Sequence, residues 1–160
     1  MGLKALDRAG WVRAGLSNSE SVAAHSWGVA FLTLVLLPDS LDRSRALTYA
    51  ILHDLAEVRV GDLTPHDNVP AQEKAEREER AMTAICESLP PHLLQAWKSY
   101  EAQSDPEARF VRQLDRLDMA LQATVYESGG LDLDAFKASA ASAIDDPNLA
   151  TLLEELRTHR

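Results

Sequence analysis

Cysteine is almost absent from this sequence, and glycine and proline are scarce. Cys86 is the single thiol, and there are seven glycines and seven prolines in 160 residues. One thiol excludes an internal disulfide and a structural zinc site built from cysteines, and it suits a reducing cytosol. Few glycines and prolines argue against a loop-rich or all-β architecture. We therefore expect an all-α fold with long helices.

Basic residues are outnumbered by acidic ones. Sixteen lysines and arginines face 25 aspartates and glutamates, which gives a formal net charge of -9 at pH 7. Such a chain has no broad basic surface to neutralise a nucleic-acid backbone, so we expect no nucleic-acid polymer as partner. A small phosphorylated ligand would need local positive charge from a metal ion or from one or two arginines.

Long apolar runs are missing as well. The longest run, residues 29–37, is interrupted by Thr33 and has about half of the roughly 18 residues that a membrane-spanning helix needs. The first dozen residues contain Lys4, Asp7 and Arg8 and show no apolar signal-peptide core. These features predict a cytoplasmic protein without a membrane partner.

The pattern that is present is helical. With 160 residues, the chain has the length of one domain that can bury a core, and we predict a single domain over residues 1–160. Apolar spacing and helix stops predict helices over residues 1–10, 20–37, 39–61, 70–89, 93–100 and 105–127. Two further helices follow within residues 131–160, and we expect them to pack on the preceding part of the domain.

Ionisable residues interrupt the predicted helix over residues 39–61. His53 and Asp54 place an imidazole beside a carboxylate, and Glu57 lies four residues after His53, one helical turn along the same face. Asp62 follows in the turn after Gly61. An aspartate in a turn usually caps backbone amides, so a structural role and a ligand role both stay open for Asp62.

Two other predicted helices carry ionisable residues near their apolar stripes. His25 lies within the stripe of residues 20–37 and is either a core histidine bound to a carbonyl or a metal ligand. Asp115 and Asp118 lie beside the stripe of residues 105–127, where burial without partners is costly. Either aspartate can pair with Arg109 or Arg112, or reach a metal.

Together these residues suggest a metal-dependent reaction. Two histidines and two or more aspartates from separate helices can hold Mn, Co, Fe or Mg with mixed nitrogen and oxygen ligands. Such an ion lowers the pKa of a bound water and polarises a phosphoryl oxygen, which favours phosphate-ester hydrolysis. Glu57 is then placed to manage the proton of that water, or to hold a second ion with Asp62.

At this level of detail the chain resembles the HD-domain phosphohydrolases, in particular their 5'-deoxynucleotidase branch. His25, then His53-Asp54, then Asp115 repeat the order of the H…HD…D signature. Five local motifs also match in order: Arg8-Ala9-Gly10-Trp11, Glu20-Ser21-Val22-Ala23-Ala24-His25-Ser26, His53-Asp54-Leu55-Ala56-Glu57, Val60-Gly61-Asp62-Leu63-Thr64-Pro65, and Gln113-Leu114-Asp115-Arg116 continuing to Glu127. The resemblance implies an HD-type helical bundle of about six to eight helices, with the metal-site core in residues 20–127.

The resemblance also implies roles for individual residues. The four metal ligands are His25, His53, Asp54 and Asp115. Glu57 matches a residue that is catalytic or binds a second ion, Asp62 lies beside it, and the carbonyl of Leu63 matches a further ligand of that ion. The implied substrate contacts are Trp11, an aromatic at the nucleotide pocket, and Arg8 or Arg13 near the phosphate. In bacterial members the arginine directly precedes the tryptophan, whereas two residues separate Arg8 from Trp11 here.

The implied activity is removal of phosphate from deoxyribonucleoside 5'-monophosphates by a metal-activated water. The implied cofactor is a divalent cation, Mn, Co or Mg, with Fe and Zn as further candidates, and members of the branch are commonly homodimers. Two alternatives remain at this point. One is an HD-type hydrolase of another nucleotide or phosphoester. The other is a non-catalytic helical interaction module whose buried histidines and aspartates only hold the core together.

Overall fold

The computed structural model describes residues 2–158, and within them it confirms the all-α fold. Seven α-helices have ten or more residues and two are short, and no strand forms beyond an isolated bridge between Asp7 and Ser21. The helices are α1 (Ala9–Arg13), α2 (Val22–Leu36), α3 (Arg43–Leu52), α4 (Glu57–Val60), α5 (Ala71–Cys86), α6 (Pro91–Glu101), α7 (Pro106–Glu127), α8 (Asp134–Ala143) and α9 (Pro147–Thr158). Two 3-10 turns lie at Gly2–Ala5 and Pro65–Asp67. None of the helices in the described part of the chain has the length and apolar character needed to cross a membrane.

Side-chain caps fix the starts of three long helices. The hydroxyl of Ser21 accepts from the backbone N–H of Ala24, 3.2 Å away, at the start of α2. The carboxylates of Asp42 and Asp105 do the same at the starts of α3 and α7. Caps of this kind satisfy backbone donors that have no partner within the helix. The predicted starts at residues 20 and 105 lie within two residues of α2 and α7, whereas the predicted start at residue 39 lies four residues before α3.

The prediction of a helix over residues 1–10 that stops at Gly10 is wrong. Met1 lies outside the described residues, Gly2–Ala5 forms only a 3-10 turn, and Gly10 lies inside α1, which begins at Ala9. The backbone N–H of Ala9 donates to Asp62 Oδ2 at 2.7 Å. The start of α1 is therefore satisfied by a residue distant in sequence, and no local pattern reveals such a contact.

The predicted helix over residues 39–61 is interrupted in the middle. Helix α3 ends at Leu52, residues 53–56 form a tight turn, and α4 begins at Glu57. In this turn the N–H of Leu55 bonds to the carbonyl of Leu52, and that of Glu57 to the carbonyl of Asp54. Such three-residue spacing tightens the backbone relative to an α-helix, so His53 and Glu57 are not one α-helical turn apart.

Helix α7 is the centre of the bundle and packs against α2, α3, α6, α8 and α9. Its buried stripe includes Phe110, Leu114 and Leu117, whereas Val125 near its C-terminal end is exposed. Side chains from the two C-terminal helices and their link belong to the same buried cluster: Ala140, Ile144, Leu149 and Leu153. The long central helix thus joins the N-terminal and C-terminal parts of the chain around one core.

One buried ion pair ties α8 to α7. The side chain of Lys137 is only 4% exposed, and its Nζ lies 2.7 Å from Glu127 Oε2 and 2.9 Å from Asp134 Oδ1. Replacing Lys137 with methionine keeps most of the volume but leaves these carboxylates without the ammonium group. We expect the free energy of unfolding to fall by about 2–4 kcal/mol, because losing one partner leaves a charge in a poorly hydrated place. Urea unfolding measures this change.

The matched control is Lys98, which binds Glu79 at 2.6 Å but is 42% exposed. Solvent screens that pair, so Lys98→Met is expected to change the free energy of unfolding by less than about 1 kcal/mol. Equal losses in the two variants would contradict a special role for the buried pair.

Candidate metal centre

Three side chains, those of His25, His53 and Asp54, bring ligand atoms within 4.8 Å of one another, and Asp115 lies beside His25 but outside this group. His25 comes from α2, His53 and Asp54 from the turn after α3, and Asp115 from α7. Nε2 of His53 lies 3.3 Å from Nε2 of His25 and 3.1 Å from Asp54 Oδ2. Nε2 of His25 lies 3.6 Å from Asp54 Oδ2 and 3.2 Å from Asp115 Oδ1. Because residues 53–56 form a tight turn, the neighbouring side chains of His53 and Asp54 approach each other to 3.1 Å between Nε2 and Oδ2.

The separations among His25, His53 and Asp54 are close to those of ligands of a common cation. Two ligand atoms that each lie about 2.1 Å from one ion are about 3.0–3.4 Å apart at angles of 90–109°. Both imidazole Nδ1 atoms face acceptors, since that of His53 lies 2.9 Å from the carbonyl of Ala50 and that of His25 lies 2.7 Å from Asp118 Oδ2. The two Nε2 atoms therefore point toward each other. Two N–H groups in this arrangement would repel each other, whereas two nitrogen lone pairs can bind one ion between them.

The charges around the cluster also favour a cation. Burial raises the pKa of Asp54, but His53, His25 and Arg8 outweigh it and hold that pKa well below its usual range. Burial and Arg8 lower the pKa of His25, yet hydrogen bonds with Asp115 and Asp118 raise it to about 10. The carboxylates thus stabilise positive charge on the imidazole. Protons and a metal ion compete for the same lone pairs, so metal binding here releases protons.

Asp118 orients His25, a role that the sequence left open. The ring of His25 is fully buried, and Asp118 Oδ2 lies 2.7 Å from its Nδ1. A carboxylate in this position fixes the tautomer and the ring orientation of a metal-binding histidine. Gly28 makes room for it, because a Cβ at Gly28 would lie 2.2 Å from Asp118 Oδ1. The sequence signal for Asp118 was its position beside the apolar stripe of residues 105–127.

A cleft of about 620 Å³ opens beside the cluster, within the size range of small-molecule sites. Asp54 and Asp115 line its floor. Arg8, a predicted phosphate contact, also lines the cleft, with its Nη1 3.3 Å from Asp54 Oδ2. Arg13 lines the outer part, where its guanidinium pairs with Asp67. Arg8 is thus the nearer of the two arginines to the cluster.

Glu57, Asp62 and Leu63 form one side of the cleft. Glu57 is 6% exposed, and its Oε2 has no hydrogen-bond partner among the described residues. Burial, together with the charges of Asp54 and Asp62, raises the pKa of Glu57 to about 9. Asp62 already accepts from Ala9 N–H through Oδ2, and the carbonyl of Leu63 accepts from Lys74 Nζ at 3.0 Å. The structure thus brings the three residues together beside the metal cluster.

Trp11 lines the cleft but is only 1% exposed. Its indole N–H donates to Glu20 Oε1 at 2.9 Å, and its ring lies 4.3 Å from that of Phe136, between centroids. Phe136 is partly buried and lines the same cleft from α8, together with Met119 of α7. Sequence reasoning missed Phe136, because the wall that it forms depends on α8 folding back onto α1.

Two proteins that are similar to this chain in sequence are both named 5'-deoxynucleotidase. The mouse protein 5'-deoxynucleotidase HDDC2 is 40% identical over 99% of this chain and 83% of its own length. The fission-yeast protein 5'-deoxynucleotidase hdd1 is 37% identical over 84% of this chain and 73% of its own.

Two solved structures share the fold. The PH0347 protein from Pyrococcus horikoshii OT3 superposes with a TM-score of 0.79 at 36% identity, covering 98% of this chain and 92% of that one. A predicted metal-dependent phosphohydrolase from Magnetospirillum magnetotacticum MS-1 gives 0.73 at 26% identity, covering 98% and 84%. The family model described as HD domain matches residues 2–157. By this match and by its 40% identity to the mouse protein, this chain belongs to the HD domain family.

Proposed function

We propose that this protein is a metal-dependent phosphohydrolase that removes phosphate from deoxyribonucleoside 5'-monophosphates. The observation that carries the proposal is the close approach of ligand atoms from His25, His53 and Asp54, with Asp115 beside His25, at a cleft of nucleotide-binding size. The names of the mouse and fission-yeast relatives support the same substrate class. The four residues would hold a divalent cation, for which we propose Mn, Co or Mg, with Fe and Zn as further candidates.

The two ends of the cleft differ in chemistry, as a nucleotide site requires. The end at the metal cluster carries Arg8, and Lys74 and Arg116 also line the cleft. These cations can bind phosphate oxygens although the chain as a whole is strongly acidic. At the other end Phe136 and Met119 form an apolar wall. We propose that Phe136 contacts the nucleobase, while buried Trp11 supports the Phe136 ring from behind.

A divalent cation held by His25, His53, Asp54 and Asp115 would lower the pKa of a water molecule and polarise a phosphoryl oxygen. The protein's own groups do the rest. Arg8, next to Asp54, orients the phosphate and neutralises its charge. Glu57 exchanges protons through Oε2, because it lines the cleft, has no hydrogen-bond partner on Oε2 among the described residues and has a pKa raised to about 9 by burial and by Asp54 and Asp62. Asp62 fixes the start of α1 and so holds Arg8 in place. A second ion bound by Glu57, Asp62 and the Leu63 carbonyl remains an alternative.

Phosphate release from a panel of substrates tests the proposal. The metal-stripped protein is supplied with Mn, Co or Mg and offered deoxy- and ribonucleoside monophosphates, a nucleoside triphosphate and deoxyribose 5-phosphate, which has no base. We expect metal-dependent release that favours the deoxyribonucleoside monophosphates. Phe136→Ala is expected to raise KM for the nucleotides by about 10-fold, the scale of a lost base stack, and to leave KM for the base-free sugar phosphate unchanged.

Other outcomes would contradict the proposal in distinct ways. Bound metal without release from any nucleotide would point to another phosphoester as substrate. A protein that binds none of the ions would favour the helical interaction module. Our predictions of a cytoplasmic location and of a homodimer are independent of this assay.

A further inference from the structure

Glu20 lies just before α2 and joins three parts of the chain. Its carbonyl oxygen accepts from the backbone N–H of Arg8 at 3.1 Å, and its own N–H donates to the hydroxyl of Tyr126 at 2.7 Å. Its side chain accepts from the indole N–H of Trp11 through Oε1 at 2.9 Å. The two backbone bonds fix the position from which the side chain reaches Trp11.

The ring of Trp11 is held by apolar contacts and by this one directed bond. It is 1% exposed, and its centroid lies 5.4 Å from that of Tyr126 and 4.3 Å from that of Phe136. Ring contacts tolerate sliding and tilting, whereas an N–H···O bond weakens steeply when its angle changes. The bond to Glu20 therefore fixes the orientation of Trp11, and with it the surface on which Phe136 rests.

We propose that Glu20 is a positioning residue for the nucleoside end of the cleft. Its carboxylate oxygen holds the Trp11 ring, and through that ring it holds Phe136 in the cleft wall. The effect on substrate binding rests on the proposed function, because this wall matters for catalysis only if a nucleoside binds against it. The orientation of Trp11 is a separate consequence that can be measured without substrate.

Glu20 also lies near the metal cluster. Ligand atoms of Glu20, His25 and Asp118 lie within 4.8 Å of one another. Asp118 already binds Nδ1 of His25 at 2.7 Å, whereas the hydrogen bond that the Glu20 carboxylate accepts comes from Trp11. The geometry therefore favours a role through the tryptophan ring. In that role the reach of the Glu20 side chain matters, and its charge does not.

Two substitutions separate reach from charge. Glu20→Gln keeps an oxygen at the same distance from the backbone, and Glu20→Asp keeps the charge but withdraws it by one methylene. For deoxyribonucleoside monophosphates we expect Glu20→Asp to raise KM by about 5- to 10-fold, the scale of a buried donor that loses its partner, and Glu20→Gln to leave KM unchanged. The kcat values, and KM for deoxyribose 5-phosphate, should stay unchanged in both variants, because the backbone of Glu20 still holds Arg8.

The indole N–H of Trp11 gives a readout that needs no catalysis. The three tryptophans of the chain differ in their surroundings, since Trp27 is 69% exposed and Nε1 of Trp97 has no hydrogen-bond partner among the described residues. In isotope-labelled protein, the indole resonance that disappears in Trp11→Phe belongs to Trp11. Its hydrogen exchange should become faster in Glu20→Asp and stay slow in Glu20→Gln.

Glu79→Asp is the matched control, because it shortens a half-exposed glutamate of α5 in the same way. It is expected to change neither KM nor the exchange of the Trp11 indole.

The possible outcomes separate this inference from the proposed function. A wild type that releases no phosphate from any nucleotide contradicts the proposed function, while the indole exchange still tests whether Glu20 holds Trp11. Wild-type exchange and wild-type KM in Glu20→Asp would overturn the inference. A Glu20→Gln protein with lower kcat and weaker Mn binding would also overturn it, because Glu20 would then act by its charge on His25.

Discussion

Replacing Asp54 with asparagine is expected to lower kcat/KM for phosphate release by more than about 1000-fold and to reduce the metal bound per chain. Outer partners of metal ligands already contribute about 10- to 100-fold when they are removed, and a ligand contributes more. Oδ2 of Asp54 lies within 3.6 Å of Nε2 of both histidines and 3.3 Å from Arg8 Nη1. The substitution keeps the shape of the side chain but removes the charge that the cation and Arg8 share. Metal content and phosphate release are measured on the same preparation.

Asp39→Asn is the control for the removal of one negative charge. The side chain of Asp39 is fully exposed beyond the end of α2, so this variant is expected to retain wild-type metal content and phosphate release. Helical circular dichroism of both variants reports on folding. An Asp54→Asn protein that binds metal and releases phosphate like the wild type would remove Asp54 from the proposed centre.

The metal cluster could be predicted from the sequence because its signal is local and ordered along the chain. His53 and Asp54 are neighbours, and His25 and Asp115 follow recognisable helix patterns. The ligand roles remain proposals; the structure brings His25, His53 and Asp54 together and places Asp115 beside His25. The interruption of the helix at residues 53–56 was missed, because an apolar helical pattern does not distinguish a continuous helix from two helices joined by a tight turn.

The features that were missed depend on packing between distant elements. Asp118 can bind the His25 ring only because α7 approaches α2 closely at Gly28. Trp11, which was predicted to contact the nucleotide, lines the cleft while its ring packs against Tyr126 and Phe136, and Phe136 lines the same cleft. Periodicity gives the face of each helix but not which residue of a neighbouring helix lies opposite. A resemblance to a family can indicate which residues bind a metal. It does not show that Phe136 of α8 forms part of the cleft wall, because that depends on how α8 packs.

Gly28→Ala is expected to weaken metal binding by about 10- to 100-fold, and its effect on stability should change sign when Asp118 is also removed. In the wild type the new Cβ would lie 2.2 Å from Asp118 Oδ1, so the carboxylate must move away from His25 Nδ1. A histidine that loses its orienting carboxylate binds metal less tightly, by about that factor. Asp118→Ala alone should weaken metal binding to a similar extent. Isothermal titration with Mn measures the affinity, and urea unfolding of the metal-free protein measures stability.

A protein with both Gly28→Ala and Asp118→Ala shows whether Gly28 acts by making room for the Asp118 carboxylate or whether Gly28→Ala has a general effect. With Asp118→Ala in place there is no carboxylate to displace, so Gly28→Ala should not weaken metal binding further. It should then stabilise the metal-free protein by up to about 1 kcal/mol, because alanine is the better helix former within α2. In the wild type the clash outweighs this gain, and the same substitution should be destabilising. Residues that act through one contact are coupled in this way. Equal effects of Gly28→Ala in both backgrounds would show that Gly28 does not act through Asp118.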